Sequence, residues 1–513
     1  MTATAATQQQ PAADKARSKP PNILLIISDD MGIEVLRAFG VGANPPPTPN
    51  LDRLAAEGVR FNNYWSQPVC SPTRATLLTG RYGFRTGIGS PTGDGGEASS
   101  WPAPPAKPAG APKEAGMGPP AMARGRGGPR PEQPPARPAN ESMEAGMGPP
   151  AWLADGRFGR GLSLDEFTLP KAFAAHRELG YATAAIGKWH LADGSNGWER
   201  HPNLAGFDHY SGQLRGFPDG YFAWNQIDDG KFSGATGYAA TRKVDDAMAW
   251  IRATGDRPWF MWFAFNLPHL PGHVPPRSLW VRDHSDLDPQ VTPAVTDRRY
   301  FEAMVEALDT ELGRLLAALD PATRANTYVI FMGDNGTFGP VVDAPFSKGK
   351  AKGSVYEGGV NVPLIVTGPG VARNRASDAL VNSVDMFTTI MEMAGIQPVG
   401  TVPSGVVVDA VSFLPYLSRP DRPSIRQWIY ADVFGGNGGL SEGMFHGGQY
   451  AIRNATYKLV VNAGREEFYD VRDRSEMHNL LGTLTPEQQV AYASLRSQVD
   501  RLHASEQTSS RKP

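Results

Sequence analysis

Four short apolar runs in this chain each stop at residues that carry chemistry, and that pattern restricts the fold more than any other feature. Asn22 to Ser28 ends in Asp29-Asp30, and Tyr181 to Ile186 ends in Gly187-Lys188-Trp189-His190. Trp259 to Phe265 ends near His269, and Tyr328 to Met332 ends in Gly333-Asp334-Asn335. Short runs of this kind, alternating with helical patterns, read as strands of a mainly parallel sheet covered on both faces, an α/β fold. In an open α/β sheet the carboxyl ends of parallel strands converge on the ligand crevice. The four polar clusters are therefore expected to share one edge and form one site.

With 513 residues, 40% of them hydrophobic and 20% charged, and a net charge of -2, the composition is that of an ordinary globular protein. Nothing in it supports nucleic-acid binding. The length exceeds what one core usually organises, so a large domain over 21–420 and a small one over 421–505 are expected, with tails at 1–20 and 506–513. No apolar run is long enough to span a membrane. The first twenty residues lack the apolar core of a secretory signal, so the sequence as it stands reads as cytoplasmic; a periplasmic or secreted protein is the alternative if a leader was trimmed. From about 91 to 160 Gly, Pro, Ala and Arg dominate, and the segment beginning at Glu114 repeats at Glu144. This is a low-complexity insertion, read as a mobile loop, with a lid whose arginines attract anions as the functional alternative.

Cys70 is the single cysteine, which excludes an intramolecular disulfide and a thiolate metal cluster. Around it, Ser71 reads as a helix cap, Pro72 as the first helical residue, Thr73 to Thr79 as the helix and Gly80 as its stop. Cys70 then lies at a helix N-terminus, where free amides and the helix dipole favour an anion, and Arg74 adds a positive fork one turn on. Asp29, Asp30, Asp334 and Asn335 make a hard oxygen set without imidazole or thiolate. Such a set suits Ca²⁺, our choice, or Mg²⁺ better than zinc. Acidic pairs after strands also cap helices, which is the structural alternative for Asp29-Asp30. Lys188 and His190 lie two apart and point the same way if the strand continues.

The stretch from Cys70 through Pro72 and Arg74 to Leu77-Leu78-Thr79-Gly80-Arg81 resembles the first signature of the sulfatase family, and Gly180 to His190 resembles its second. Pro268-His269, the segment from Lys352 to Glu357-Gly358-Gly359, and Glu467 to Leu480 extend the resemblance over nearly the whole chain. It implies an alkaline-phosphatase-like large mixed sheet between helices, then a small domain with an antiparallel sheet and a terminal helix; Thr485 and Pro486 suit the start of that helix. It also implies an arylsulfatase-like sulfuric ester hydrolase that cleaves a sulfate monoester to alcohol or phenol plus inorganic sulfate.

By that resemblance a separate formylglycine-generating maturation enzyme oxidises Cys70 to formylglycine, whose hydrate attacks sulfur to give a covalent sulfated intermediate. The metal is held by Asp29, Asp30, Asp334, Asn335 and the residue derived from Cys70. Arg74, Lys188 and Lys352 grip the sulfuryl group, with Lys348 and Lys350 competing for the place of Lys352. His190 assists proton loss from the hydrate, and His269 protonates the leaving oxygen, with His273 a nearby competitor. A phosphate or phosphonate ester hydrolase on the same scaffold is one alternative; binding of sulfate or a sulfated glycan without turnover is another. One departure stands out: Asn361 occupies a position where the family often has Arg, so a supporting ion pair is expected to be missing. Trp224, Trp262 and Trp280 read as packing in preference to a ring-stacking platform.

Overall fold

The computed structural model describes residues 19–93, 104–114, 160–216, 219–435, 437 and 448–507. Most of the 91–160 insertion and nearly all of both tails lie outside the described residues.

Ten strands form the main sheet: β1 (Asn22–Ser28), β2 (Val59–Trp65), β3 (Ala182–Lys188), β4 (His209–Gln213), β5 (Ala223–Asp228), β6 (Lys231–Thr236), β7 (Trp259–Ala264), β8 (Thr327–Gly333), β9 (Leu364–Thr367) and β10 (Arg375–Asn382). Their order is β10-β2-β9-β8-β1-β7-β3-β4-β5-β6. The centre is parallel: β1 pairs with β7 and β8, and β3 pairs with β7 and β4. Antiparallel strands enter at β9 and at β5 and β6, so the sheet is mixed and mainly parallel around its middle.

The period-2 geometry of a strand explains why β1 is apolar throughout. Ile23, Leu25 and Ile27 face one core, and Leu24 and Ile26 face the other, all fully buried. On the first face pack the Cys70–Thr79 helix, through Ala75, Leu77 and Leu78, and the Asp385–Met393 helix, through Met386, Phe387 and Ile390. On the second pack the Ala239–Thr254 and Arg298–Ala317 helices, through Val244, Ala247, Met304 and Leu308. Each large side chain so buried contributes about 1.5–3 kcal/mol of transfer free energy. Trp224 and Trp262 are core residues, and Trp280 donates its Nε1 hydrogen to Pro275 O at 2.8 Å.

A second, antiparallel sheet follows: β11 (Ile429–Val433), β12 (Gln449–Arg453), β13 (Tyr457–Asn462) and β14 (Arg465–Asp470), in that order. One of its faces takes Leu495, Val499 and Leu502 of the Pro486–Gln507 helix. The other packs against Trp65, Val69, Val355 and Tyr356 of the large sheet's surroundings. The terminal helix opens with a capping box, since Thr485 Oγ1 accepts from Gln488 N at 3.3 Å and Gln488 Oε1 accepts from Thr485 N at 2.8 Å. Among the described residues no helix is long and apolar enough to cross a membrane.

Candidate active site

Register brings the acidic strand ends together. β1 and β8 run in parallel with Ser28 opposite Gly333, so both chains leave the sheet at the same level. Asp334 N then donates to Ser28 O at 3.0 Å, and Asp30 N donates to Asp334 Oδ1 at 3.2 Å. Asp30 makes its exit with φ 68, in the left-handed region. β3 delivers Lys188 from one side of the same edge, and the turn after β7 delivers His269.

Cys70 reaches this edge as the first residue of the Cys70–Thr79 helix. The expected cap is corrected: the residue before the helix is Val69, with no side-chain cap, and Pro72 stands inside the first turn instead of opening it. The Ser71 hydroxyl is diverted to the site, donating to His190 O at 2.8 Å. Gly80 ends the helix as expected, at φ 68, and a Cβ there would come within 2.8 Å of Phe387.

Cys70 Sγ lies 3.4 Å from Asp29 Oδ1 and 3.4 Å from Lys188 Nζ, and Lys188 Nζ lies 2.5 Å from Asp29 Oδ2. The residue is only 2% exposed. Burial pushes its thiol up to about 12, against the opposing pull of Lys188 and Lys352. As a thiol it is therefore protonated and a poor nucleophile at neutral pH.

Arg74, fully buried, donates to Asp334 Oδ2 from NH2 at 2.7 Å and from Nε at 3.2 Å, and to Lys188 O at 2.7 Å. Burial and the nearby Asp29 charge raise the Asp334 carboxyl to about 6, with Arg74 opposing. Asp30 behaves in the opposite way. Burial would raise it, but Lys352, 2.5 Å away, together with His269 and Lys188 brings it to about 2. Of the three candidate lysines, Lys352 is the one at Asp30; Lys350 lies 4.6 Å over the Tyr356 ring and reaches Glu476 O.

His269 Nδ1 donates to Leu270 O at 2.7 Å, which leaves Nε2 facing Asp30 Oδ2 at 3.8 Å. Burial, then Lys352, lowers it to about 3. β3 stops at Lys188, and His190 follows with φ 61, so the continued strand expected there is replaced by a left-handed turn. Its Nε2 faces Thr92 O at 3.2 Å, and its buried Nδ1 has no partner among the described residues. His273 lies apart, 3.0 Å from the Tyr238 hydroxyl and with its ring tilted at 33° against that of Tyr221, centroids 4.2 Å apart.

Asp29, Asp30, Cys70 and His269 can each offer one ligand atom with all four atoms within 4.8 Å of one another. Asn335 adds to this set: its Nδ2 donates to Asp30 Oδ1 at 2.9 Å and its Oδ1 is buried without a partner among the described residues. An orphaned amide oxygen beside buried carboxylates is the donor chemistry of a hard divalent cation, so the residues fit one. Three buried carboxylates (Asp29, Asp30, Asp334) face three cations (Arg74, Lys188, Lys352), which leaves the cluster without formal charge.

Two features were missed in the sequence. Lys243, with Gln213 and Asn266, forms a buried polar group behind the site; its signal was a lysine within the apolar stripe of Ala240, Val244 and Ala247. The second concerns Asn361. The expected gap in charge is filled from the small sheet, because Glu357 takes Lys458 at 3.4 Å and Arg453 at 3.6 Å, while Asn361 Nδ2 donates to its other oxygen at 2.9 Å.

The chain is similar to known proteins in sequence and in fold. The sulfatase family model matches residues 21–109 and 140–396, and the model for the N-sulphoglucosamine sulphohydrolase C-terminal region matches 350–505. The chain is 28% identical over 434 residues to N-acetylgalactosamine-6-sulfatase of Canis lupus familiaris, covering 79% of this chain and 68% of that protein. Its fold is similar to that of Ps i-CgsB, with a TM-score of 0.67 and 24% identity over 95% of this chain and 93% of the other. A structure bound to its substrate D-glucosamine-2-N,6-O-disulfate gives a TM-score of 0.63 at 19% identity, over 96% of this chain and all (100%) of that one.

Proposed function

The chain belongs to the sulfatase family and hydrolyses sulfate esters, and on that premise we propose that an oxidised Cys70 is its nucleophile and that Asp29, Asp30, Asp334 and Asn335 hold a divalent cation beside it. The observation that carries this reading is the position of Cys70 Sγ, buried 3.4 Å from both Asp29 and Lys188 while its thiol is pushed up to about 12. A group so placed and so unreactive calls for chemical activation. Oxidation to formylglycine supplies it, since the hydrated aldehyde offers an oxygen nucleophile and a second hydroxyl for release. At 2% exposure Cys70 is out of reach of another enzyme, so its oxidation precedes the closing of the fold.

The cation, calcium by its donor set, would add Lewis-acid charge against the developing oxyanion. Arg74, Lys188 and Lys352 supply the fixed positive charge that grips the sulfuryl oxygens. A neutral cluster suits this load. A divalent cation adds two positive charges, and a sulfate monoester with a deprotonated nucleophile adds two negative ones, so the loaded site is again balanced. His269 stands neutral in the free protein; an anionic ester that offsets Lys352 lets it hold the proton it gives to the leaving oxygen. The partnerless Nδ1 of His190 is suited to receive the proton of the second hydroxyl. A sulfated sugar is the proposed substrate class, supported by the names of the relatives above.

The test combines mass spectrometry of the Cys70 peptide with sulfate release, for protein made with and without a formylglycine-generating enzyme. Aldehyde and turnover should appear together, with sulfate esters cleaved far faster than matched phosphate esters. Turnover by protein retaining only the thiol would overturn the reading.

A further inference from the structure

Lys243 is 2% exposed, and among the described residues no carboxylate forms an ion pair with it. Its ammonium donates to two amide oxygens, Gln213 Oε1 at 2.9 Å and Asn266 Oδ1. An ammonium has no acceptor to offer, so both amides must turn their oxygens towards it. That leaves Gln213 Nε2 and Asn266 Nδ2 buried and without partners among the described residues. A desolvated ammonium and two orphaned donors each oppose folding, so the arrangement serves something other than stability.

The two amides belong to the two segments that frame the site. Gln213 ends β4, and its carbonyl accepts from Trp189 N at 2.9 Å, between Lys188 and His190. Asn266 follows β7, and its carbonyl accepts from His269 N at 2.9 Å. The Tyr221 hydroxyl closes the same turn, 2.6 Å from Asn266 O and 2.7 Å from His269 O. Lys243 thus ties the segment bearing Lys188 to the turn bearing His269, from a helix that itself contributes no group to the reacting atoms. Burial brings its ammonium down to about 7, with Asp29 acting against that fall.

We propose that Lys243, through Gln213 and Asn266, is a positioning residue that fixes His269 relative to the sulfate grip, so that the departing oxygen meets its proton. The proposal rests on the reading of His269 as the acid. A displaced acid matters little when the departing phenol is already a stable anion and greatly when it is not, which separates misplacement from general loosening of the fold.

The experiment measures kcat/KM over a series of aryl sulfates with phenols of increasing pKa, for the wild-type protein, Lys243→Met, Gln213→Leu and His269→Gln, all matched for aldehyde content at Cys70. Lys243→Met is expected to stay within about threefold of wild type on 4-nitrophenyl sulfate and to lose roughly tenfold or more on the least acidic phenol. Gln213→Leu, which removes one anchor only and keeps the test open if Lys243→Met does not fold, should show the same selective loss at smaller size. His269→Gln should show it at full size. If His269→Gln steepens the dependence and the folded Lys243 or Gln213 variant lowers every substrate by one common factor, or by none, the positioning role is overturned. If His269→Gln leaves the dependence unchanged, the acid assignment itself fails and the role of Lys243 falls with it.

Discussion

Two buried charge clusters stand on either side of the turn that carries Lys352, and they use the same chemistry to opposite ends. At the sheet edge, Asp29, Asp30 and Asp334 meet Lys188, Lys352 and Arg74. At the junction with the small sheet, Glu357 and Glu476 meet Lys458 and Arg453. The junction pairs within itself: Glu476 Oε2 accepts from Glu357 N at 2.7 Å, Lys458 bridges both acids, and both Glu357 oxygens are engaged, with Glu476 Oε1 held 2.7 Å from Lys458 Nζ as an ion pair without a hydrogen bond. The edge keeps spare valences in Asn335 Oδ1 and His190 Nδ1, and the His269 side chain retains 10% exposure and that of Lys352 17%. Buried charge paired within its own cluster holds a structure; buried charge with open positions beside a partly exposed histidine and lysine is able to exchange partners.

The largest test of this contrast is Cys70→Ala in the edge cluster. Turnover should fall by roughly 10⁴-fold or more, as for loss of a nucleophile, while the melting midpoint stays within about 2 °C of wild type. A variant that kept its turnover would remove the distinction. Lys458→Met in the junction should do the reverse. It strands Glu357 and Glu476 without their shared cation, at about 3–5 kcal/mol of stability by denaturant titration, with kcat of the folded fraction within about threefold. Selective loss of kcat there would make the junction part of the site.

Calcium should sharpen the comparison next. At about a hundred times its dissociation constant it should stabilise the Lys458→Met and Cys70→Ala proteins by about 2.7 kcal/mol in thermal unfolding, and chelation should reverse this. An Asp30→Asn protein should respond much less, and an equal response would place the cation elsewhere.

The smallest effect concerns pH. Asp432 on β11 is buried, and burial raises its carboxyl from 3.8 to about 7. The folded protein therefore holds this proton more tightly than the unfolded chain. Its contribution is complete below the unfolded value near 3.8 and is lost as pH rises through about 7. Asp432→Asn should flatten that part of the stability profile and gain on the order of 1–3 kcal/mol at pH 8, measured by urea titration across pH. An unchanged slope would show that Asp432 stays ionised within the small sheet.

What was readable in the sequence was whatever lies close along the chain. The polar ends of β1, β3, β7 and β8 could be seen because each apolar run stops where its chemistry begins, and parallel pairing does the rest. The start of the helix at Cys70 was misjudged by two residues because Ser71 looks like a cap, and only the folded chain shows the His190 carbonyl competing for its hydroxyl. The answer to Asn361 could not be read at all. Lys458 lies 97 positions further on, in another sheet, and no local pattern links the two. Lys243 was visible only as an anomaly in an apolar stripe, since its partners come from the end of β4 and the turn after β7.

The left-handed backbone at Asp30 and His190 has a consequence for anyone who would redesign this protein. Both residues hold conformations that glycine adopts freely and other L-residues adopt at a cost of about 1 kcal/mol or more. Glycine at position 190 relieves that strain without stranding a charge, so a search rewarded only by thermal tolerance is drawn towards it and away from catalysis, whereas glycine at position 30 would leave Lys352 without its partner. Selection for hardiness and selection for turnover pull position 190 in opposite directions, and a library scored on survival alone would enrich there for inert, robust descendants.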